Sequence, residues 1–268
     1  MIRRFIRRVL TRYPKTYLFL RITKLRIDFA CHYAFAFGVC NAWRTYRNLR
    51  SGKTGLKSIV PPGLQHAIFV RRGTSDVSVF EKIFVWREYD ITCKRNVETI
   101  LDCGANTGLS AVWFATRFPE SKVFAIEPDL ANFTLLCRNV SPYPNIIPLH
   151  AAVWSTSCYV ALQNPGVEPD AFQFGICSPD TPNSVRALDI PTICAMHSIG
   201  SLDILKMDIE GGERVVFSVN CDDWLKRAQI LLIEFHGEDC RCAADSAISN
   251  FSWLHSVQGE NDCFVRLP

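Results

Sequence analysis

Acidic residues and one histidine stand where apolar runs of this sequence end. Asp102, Glu127 and Asp208 each close a β-prone run, and His236 follows a fourth run. A carboxylate in such a place can accept two hydrogen bonds from a ribose diol, and a carboxylate or an imidazole can take the proton of a hydroxyl group. The pattern therefore predicts a site that combines cofactor binding with acid–base chemistry.

A glycine loop follows the first of these acids. Residues 98–110 read Glu-Thr-Ile-Leu-Asp-Cys-Gly-Ala-Asn-Thr-Gly-Leu-Ser, which is typical of a strand, a loop and a helix start. Gly104 and Gly108 let the backbone pass close to a ligand, and Asn106 or Thr107 can cap the helix, whose first N–H groups are free for a polar group. A dinucleotide fingerprint would be G-x-G-x-x-G. The spacing here, with an acid on the strand, favours S-adenosylmethionine over NAD.

Strands and helices alternate through the chain in the manner of an open α/β sheet. Strands are predicted at 99–101, 122–126, 146–149, 203–207 and 229–234. Helices follow the first two at about 109–118 and 130–140, and a further helix is predicted near 243–250. Ligands bind at the carboxyl ends of the strands in such a sheet. Five residues at these ends are therefore predicted to meet in one crevice: Asp102, Glu127, Ala152, Asp208 and His236.

The motifs at these strand ends resemble those of the FkbM family of class I S-adenosylmethionine-dependent methyltransferases. The resemblance rests on Ile126-Glu127-Pro128-Asp129 and on Leu205-Lys206-Met207-Asp208-Ile209-Glu210-Gly211-Gly212-Glu213, and it covers roughly residues 65–268. It implies an α/β fold: a Rossmann-like, mostly parallel sheet with an antiparallel last strand and helices on both faces. It also implies a hydroxyl on a sugar, a glycolipid or a small metabolite as the methyl acceptor.

The glycine loop, the strand ends and the FkbM resemblance together define the predicted cofactor site. S-adenosylmethionine is expected to contact Asp102, Gly104, Asn106, Thr107, Gly108, Glu127, Ala152 and Asp208. In the family, the segment that contains Ala152 is the loop beside the adenine ring. The helical pattern from Val77 to Phe84 resembles the family's entry segment, which lies over the cofactor pocket, although packing in the core is the preferred explanation for its apolar residues.

Three residues are candidates for taking the acceptor's proton, in the order Asp208, Glu210 and His236. Asp208 can equally bind the amino group of the cofactor or a helix N-terminus. Glu210 and Glu213 fit the first turn of a helix that begins at Gly211, where the helix dipole stabilises acids without any catalytic part. His236 can simply complete a hydrogen bond in its loop.

No metal is expected. His236, Cys240 and Cys242 are close in sequence, but a structural zinc site needs four ligands and no fourth is apparent. Magnesium on Asp208 and a neighbouring acid is chemically reasonable, yet the FkbM resemblance does not call for it.

Other functions are weighed against methyl transfer to a hydroxyl. The Asp/Asn-Pro-Pro-aromatic signature of base amino-group methylation is missing at residues 208–211, as is a Pro-Cys nucleophile. Nucleic acid is therefore not the expected acceptor. The alternative from a different class is a non-catalytic protein that uses this fold to bind S-adenosylmethionine or a partner at a membrane surface. The sequence does not predict an oligomeric state.

Charge divides the chain into two parts. Residues 1–57 hold 14 Lys and Arg against the single acid Asp28, whereas the other 211 residues hold 16 bases and 25 acids. We expect a basic helical extension at 1–57, a turn region at 51–62 and a methyltransferase domain at 58–268. The extension fits a mitochondrial address, contact with anionic lipid, or a solvated helix. The scattered cysteines, without a C-x-x-C pair, favour a reducing compartment, and the expected location is cytoplasmic, with membrane-peripheral and mitochondrial placements left open.

One long segment lacks a clear pattern. Residues 159–162 suggest an edge strand, and residues 164–183, which include four prolines, suggest an irregular insertion. Loops of that length in a compact domain are usually functional or disordered. We expect this insertion to be the variable region that recognises the acceptor.

Overall fold

The structure is a computed structural model that describes residues 30–51, 54–93, 96–164 and 172–267. The chain forms two compact units, residues 1–51 and 52–268. In the first unit, residues 30–37 are helical and helix α1 spans Val39–Arg50. Most of the predicted basic extension lies outside the described residues, so a domain boundary at 57/58 stays a prediction. No helix in the described ranges is long and apolar enough to span a membrane.

A small hairpin occupies most of the predicted turn region at 51–62. Strand β1, Gly55–Ile59, pairs antiparallel with β2, Ile68–Arg72. The prediction of a turn throughout this segment is therefore wrong for residues 55–59. The Gly and Pro residues that suggested a turn lie at the two ends of β1. The strand itself forms because its backbone groups pair with those of β2, and no local pattern reveals that pairing.

The central sheet has seven strands. Their bounds are β3 Thr99–Cys103, β4 Lys122–Glu127, β5 Ile146–His150, β10 Leu202–Met207, β11 Ala228–Glu234, β12 Trp253–Gln258 and β13 Asn261–Arg266. Their order is β12-β13-β11-β10-β3-β4-β5, in which the five strands from β11 to β5 are parallel and β13 is antiparallel to both neighbours. The predicted mostly parallel sheet with an antiparallel end is confirmed.

Helices cover both faces of this sheet. The α-helices described in the second unit are α2 Asp76–Phe80, α3 Leu109–Arg117, α4 Leu130–Val140, α5 Ile190–Met196, α6 Glu213–Ser218, α7 Asp222–Leu225 and α8 Glu238–Ile248. Leu101, Leu205 and Leu231 share one buried cluster with side chains of α5 to α8. Because neighbouring strand residues point to opposite faces, Asp102 faces the other way, where Ser110 of α3 meets it.

The segment between β5 and α5 forms a second sheet, and only its third strand, Phe174–Ile176, lies within the irregular insertion predicted at 164–183. Strands β6 Ala152–Val153, β7 Cys158–Leu162, β8 Phe174–Ile176 and β9 Val185–Leu188 stand in the order β6-β9-β7-β8. Strand β7 pairs on both sides, so the expected edge strand at 159–162 is interior. Residues 165–171 of the predicted insertion lie outside the described residues.

Three predicted helices differ in their bounds or type. The pattern from Val77 to Phe84 is an α-helix only to Phe80, and a π-helical turn follows at Glu81–Val85. The helix expected to begin at Gly211 begins at Glu213, because Glu210 and Gly211 both have positive φ and cannot continue a helix. Helix α8 begins at Glu238, earlier than its apolar pattern indicates, since its first turn is acidic and exposed.

Candidate active site

A cavity of about 230 Å³ opens at the carboxyl ends of the parallel strands. Among the residues that line it are six predicted for the site: Gly104, Asn106, Glu127, Ala152, Asp208 and Glu210. Asp102, Thr107, Gly108 and His236 are not among its described lining residues. A crevice therefore exists at the predicted strand ends, but these last four residues are not part of its described lining.

Gly104 is the point at which the glycine loop touches the end of β10. Its φ is +77°, and a Cβ placed on it would lie 1.8 Å from the backbone oxygen of Asp208. Only glycine fits here, because a side chain would displace the backbone that carries Asp208. The loop and the acid after β10 are thus held together by close backbone contact.

Glu127 is fixed by the loop opposite. The backbone N–H of Asn106 donates to Oε2 at 2.9 Å, and the backbone N–H of Asp129 donates to Oε1 at 2.9 Å. Burial raises the pKa of this carboxyl to about 7, although both hydrogen bonds favour the ionised form. The side chain of Asn132 also hydrogen-bonds to this carboxyl. Because a carboxylate has about four acceptor positions, Glu127 can still accept a hydrogen bond from a ligand hydroxyl.

Asp102 supports the loop from below and is buried completely. The hydroxyl of Ser110 donates to Oδ2 at 2.6 Å, and the ammonium of Lys206 lies 3.3 Å from Oδ1. Lys206 also donates to the carbonyl of Gly104 at 2.6 Å and lies 3.6 Å from Asp208. One buried lysine thus links the strand acid, the glycine loop and the acid after β10.

Gly108 and Thr107 lie on the far side of the loop. Gly108 precedes α3 with a φ of +81°, and a Cβ there would meet Leu136 and Val140 at 3.1 Å. Thr107 is buried, and its carbonyl accepts a hydrogen bond of 2.8 Å from Asn139. Both residues therefore set the packing of α3 against α4.

The three candidate proton acceptors lie next to one another. His236 Nε2 is 3.2 Å from Glu210 Oε2 and 3.7 Å from Asp208 Oδ1, while Nδ1 is 3.0 Å from Glu213 Oε1. Glu213 is itself fixed by the backbone N–H groups of Ile209 and Gly211, each at 3.0 Å. The ring of His236 is therefore oriented so that Nε2 faces the two carboxylates on the cavity wall.

Burial and charge shift the protonation of this group. Burial of His236 lowers its pKa, but Glu213, Glu210 and Asp208 together outweigh that effect and raise the pKa to about 9. Burial raises the pKa of Glu210 to about 8, and the charge of His236 opposes that rise. At neutral pH the imidazole is charged, and it donates Nδ1–H to Glu213 and Nε2–H towards Glu210.

The π-helical turn brings a second lysine to the cavity. Lys82 Nζ lies 3.4 Å from Glu234 at the end of β11 and also contacts Glu260. Burial lowers the pKa of Lys82, but the two carboxylates more than compensate and keep the ammonium charged. Burial, together with the charge of Asp208, raises the pKa of Glu234 to about 7. Glu234 is thus attracted by the ammonium of Lys82 and repelled by the charge of Asp208.

Residues of this site could hold a cation; Asp208 and His236 were considered for a metal from the sequence, whereas Glu234 was not. Oxygen and nitrogen atoms of Asp208, Glu234 and His236 lie within 4.8 Å of one another. Cys240 is buried against the carbonyl of Gly211, and Cys242 is exposed. The cysteines therefore do not join His236, while Lys82 and Lys206 already supply positive charge beside the two carboxylates.

Aromatic side chains complete the cavity wall near Ala152. Trp154 follows β6, Phe174 is the first residue of β8, and Phe172 lies two residues before it. Tyr89, after the π-helical turn, also lines the cavity and stacks on Phe114. Ala151 and Ala152 line the same cavity, and their small side chains take up little of its space.

Sequence reasoning missed several of these residues. Lys206 had a signal, because a lysine in an apolar central strand needs a partner. Lys82 had none, since it reads as an ordinary polar position of an amphipathic helix. Phe172 and Phe174 lie in a segment whose short strands carry little pattern. Val79, Lys82 and Ile83 line the cavity, whereas Val77, Phe80 and Phe84 are buried in the core.

Sheet order and cavity position define a class I methyltransferase fold. Residues 102–246 match the methyltransferase FkbM domain, which is more than half of the chain. The chain therefore belongs to the FkbM methyltransferase family. The expected family and fold are both confirmed.

Individual relatives are distant. Methyltransferase sdnD from Sordaria araneosa is 32% identical over 63 residues, which are 24% of each protein. The crystal structure of methyltransferase FkbM from Methylobacillus flagellatus KT has a TM-score of 0.46 and 16% identity, covering 65% of this chain and 45% of that one. Aeropyrum pernix fibrillarin, solved with natively bound S-adenosyl-L-methionine, has a TM-score of 0.40 and 12% identity, covering 68% and 76%. The chain thus spans about a quarter of sdnD and under half of the FkbM structure.

Proposed function

We propose that this chain transfers a methyl group from S-adenosylmethionine to a hydroxyl of a sugar, a glycolipid or a small metabolite. The observation that carries the proposal is the meeting of Gly104, Asn106 and Glu127 with Asp208 around one cavity. The first three fit a nucleoside cofactor, and the fourth is an acid beside it. Membership of a methyltransferase family supports the reaction class, and the acceptor class follows the FkbM resemblance.

The cavity fits the adenosine part of the cofactor. Glu127 lines the cavity and is the carboxylate that would accept hydrogen bonds from the ribose hydroxyls, and Ala152 is the small residue that would lie beside the adenine ring. The side-chain oxygen of Asn106 is buried at the cavity wall and has no partner in the described protein, so it can accept a further hydrogen bond. Gly104 leaves the space that a side chain would fill.

When bound, S-adenosylmethionine supplies a methyl group on a positively charged sulfur. The acids at the ends of β10 and β11 suit that charge. Asp208 lies on the cavity wall, with its carboxylate 3.6 Å from Lys206 and 3.7 Å from His236. We assign it the role of accepting the proton of the acceptor hydroxyl, while Glu213 and Glu210 hold the ring of His236 beside it. Such a proton transfer contributes on the order of 10² to 10⁴ in rate.

Calorimetric titration of the full chain with S-adenosylmethionine, S-adenosylhomocysteine and NAD tests the cofactor. We expect the first two to bind at micromolar concentration and NAD not to bind. Glu127→Ala should abolish binding, whereas Glu120→Ala, on an exposed turn before β4, should leave it unchanged. A folded protein that binds neither sulfur compound would contradict the proposal.

A non-catalytic binder would give a different result with Asp208. If the chain is an enzyme, Asp208→Asn should keep cofactor binding within about threefold and lose turnover by about 10² or more. If wild-type protein binds the cofactor and transfers no methyl group to any hydroxyl acceptor, the binding protein is the better description.

A further inference from the structure

Helix α1 lies outside the predicted active site and presents an unusual exposed face. Trp43, Arg44, Arg47 and Arg50 are all exposed, and Trp43 keeps 65% of its surface accessible. Trp43, Arg47 and Arg50 are four and three residues apart, which puts them on the same side of a helix. We call these four residues the Trp–Arg face.

The opposite side of α1 has a different character. Ala42 and Leu49 are buried, and the residues between them are half-buried or exposed. A helix that already buries one apolar side has no folding reason to expose a tryptophan on the other. Trp43, whose ring lies 6.2 Å from that of Tyr46, still exposes most of its indole and is available to a ligand of this face.

The charge around this helix is of one sign. Between Phe29 and Lys57 there is no acidic residue, and residues 1–57 together carry 14 bases and one acid. The rest of the chain has an excess of nine acids. Attraction to an anionic surface is thus confined to the N-terminal part of the protein.

We propose that the Trp–Arg face docks on a membrane surface that contains anionic phospholipids. Arginines bind lipid phosphate through their planar guanidinium groups, and tryptophan prefers the boundary between headgroups and acyl chains. A nucleic acid would match the arginines, and an indole can stack on an unpaired base, but the acidic remainder of the chain would repel it. The proposal is independent of the methyl acceptor.

The expected strength follows from the charges. Each basic side chain near an anionic surface contributes about fivefold to the partition constant, so removing two of them should weaken binding about 30-fold. Because the attraction acts over about 8 Å in physiological salt, it should weaken strongly as salt rises.

Vesicle flotation of the full-length protein tests the proposal. The vesicles are phosphatidylcholine alone, or phosphatidylcholine with about 30% phosphatidylserine. The variants are Arg44→Gln/Arg47→Gln and, as a charge-matched control on exposed positions outside α1, Lys122→Gln/Arg186→Gln. Thermal melts of both variants establish that each is folded.

We expect binding to the phosphatidylserine vesicles only, a loss of about 30-fold in the α1 variant and no comparable loss in the control. Tryptophan fluorescence should shift to shorter wavelength on binding, and Trp43→Phe should remove most of that shift. Equal binding to both kinds of vesicle, or equal losses in the two double variants, would overturn the proposal. Binding of a DNA duplex in place of the vesicles, lost in the α1 variant, would also overturn it and assign the face to nucleic acid.

Discussion

Replacing Lys206 with methionine removes an ammonium that contacts the buried carboxylate of Asp102. The side chain of Lys206 keeps 2% of its surface accessible and that of Asp102 none. Methionine has a similar length and fills the same space, so the change removes charge and hydrogen bonds and leaves the volume nearly unchanged. The carbonyl of Gly104 loses its donor at 2.6 Å in the same step.

The expected cost is large compared with the stability of a domain. Breaking a buried pair by removing one partner costs about 3–5 kcal/mol, because the remaining charge stays buried without compensation. Native domains are stable by about 5–15 kcal/mol. The Lys206→Met protein should therefore unfold at clearly lower urea concentration than wild type, and its glycine loop should bind S-adenosylhomocysteine more weakly.

Urea unfolding followed by circular dichroism measures the cost, and a double-mutant cycle assigns it. Asp102→Asn keeps an oxygen for the hydroxyl of Ser110 and removes the charge. In the Lys206→Met/Asp102→Asn double variant we expect at least about 1 kcal/mol of recovery relative to the sum of the single changes. Lys226→Met is the control, since Lys226 is exposed, and it should change stability by less than about 0.5 kcal/mol. Additive single effects, or a Lys206→Met cost as small as that of the control, would refute the reasoning.

Three further predictions concern the cavity. Gly104→Ala should abolish binding of S-adenosylhomocysteine in calorimetry, because its Cβ would meet a backbone oxygen at 1.8 Å. Gly200→Ala is the control and should leave binding unchanged, because a Cβ there would have no atom within 4 Å. Normal binding by Gly104→Ala would contradict the packing described. Because ribose hydroxyls favour an ionised Glu127, whose pKa is about 7, affinity should rise with pH up to about 7 and then level, falling about tenfold per unit below it. Glu127→Gln should remove this dependence, and the same pH profile in that variant would exclude Glu127 as its source. His236, with a pKa raised to about 9, stabilises the fold fully below about pH 6.5, and that contribution is lost as pH rises through about 9. His236→Asn should therefore lower the melting temperature more at about pH 6 than at about pH 10, and an equal loss at both would rule out the charged ring.

Much of the fold was predictable because its signals are local. Strands β3, β4 and β10 are apolar runs that end in an acid, and helix α4 is predicted with its observed bounds. A glycine loop and two further motifs at strand ends were enough to place the cavity. Gly104, Glu127 and Asp208 line it as expected, because parallel strands bring their carboxyl ends to one edge.

The parts that were not predictable depend on contacts between distant residues. The second sheet is made of strands of two to five residues, and its pairing joins positions far apart in the chain. The acidic pattern indicated that α6 begins at Gly211. Because Glu210 has a left-handed backbone, the loop after β10 continues for two more residues and α6 begins at Glu213. Lys82 reaches the cavity because a π-helical turn follows α2, and no residue pattern distinguishes that turn from an α-helix.

The supporting roles of Asp102 and Gly108 also follow from tertiary packing. Asp102 stands at the strand end where a ligand is expected, but Ser110 and Lys206 enclose it. Gly108 belongs to the loop motif, yet its close neighbours are Leu136 and Val140 of α4. A motif places these residues near the cofactor, and only the surrounding side chains decide which of them face it.

Methyl transfer from radiolabelled S-adenosylmethionine to a panel of sugars, glycolipids and small hydroxyl compounds tests the central claim most directly. The full-length wild type is compared with Asp208→Asn, whose cofactor binding is measured in parallel. We predict labelled product with at least one hydroxyl acceptor, and a loss of about 10² or more in the variant at nearly unchanged binding. Equal turnover by wild type and variant would contradict the role given to Asp208, and the absence of labelled product from cofactor-bound wild type across the panel would contradict the proposed reaction.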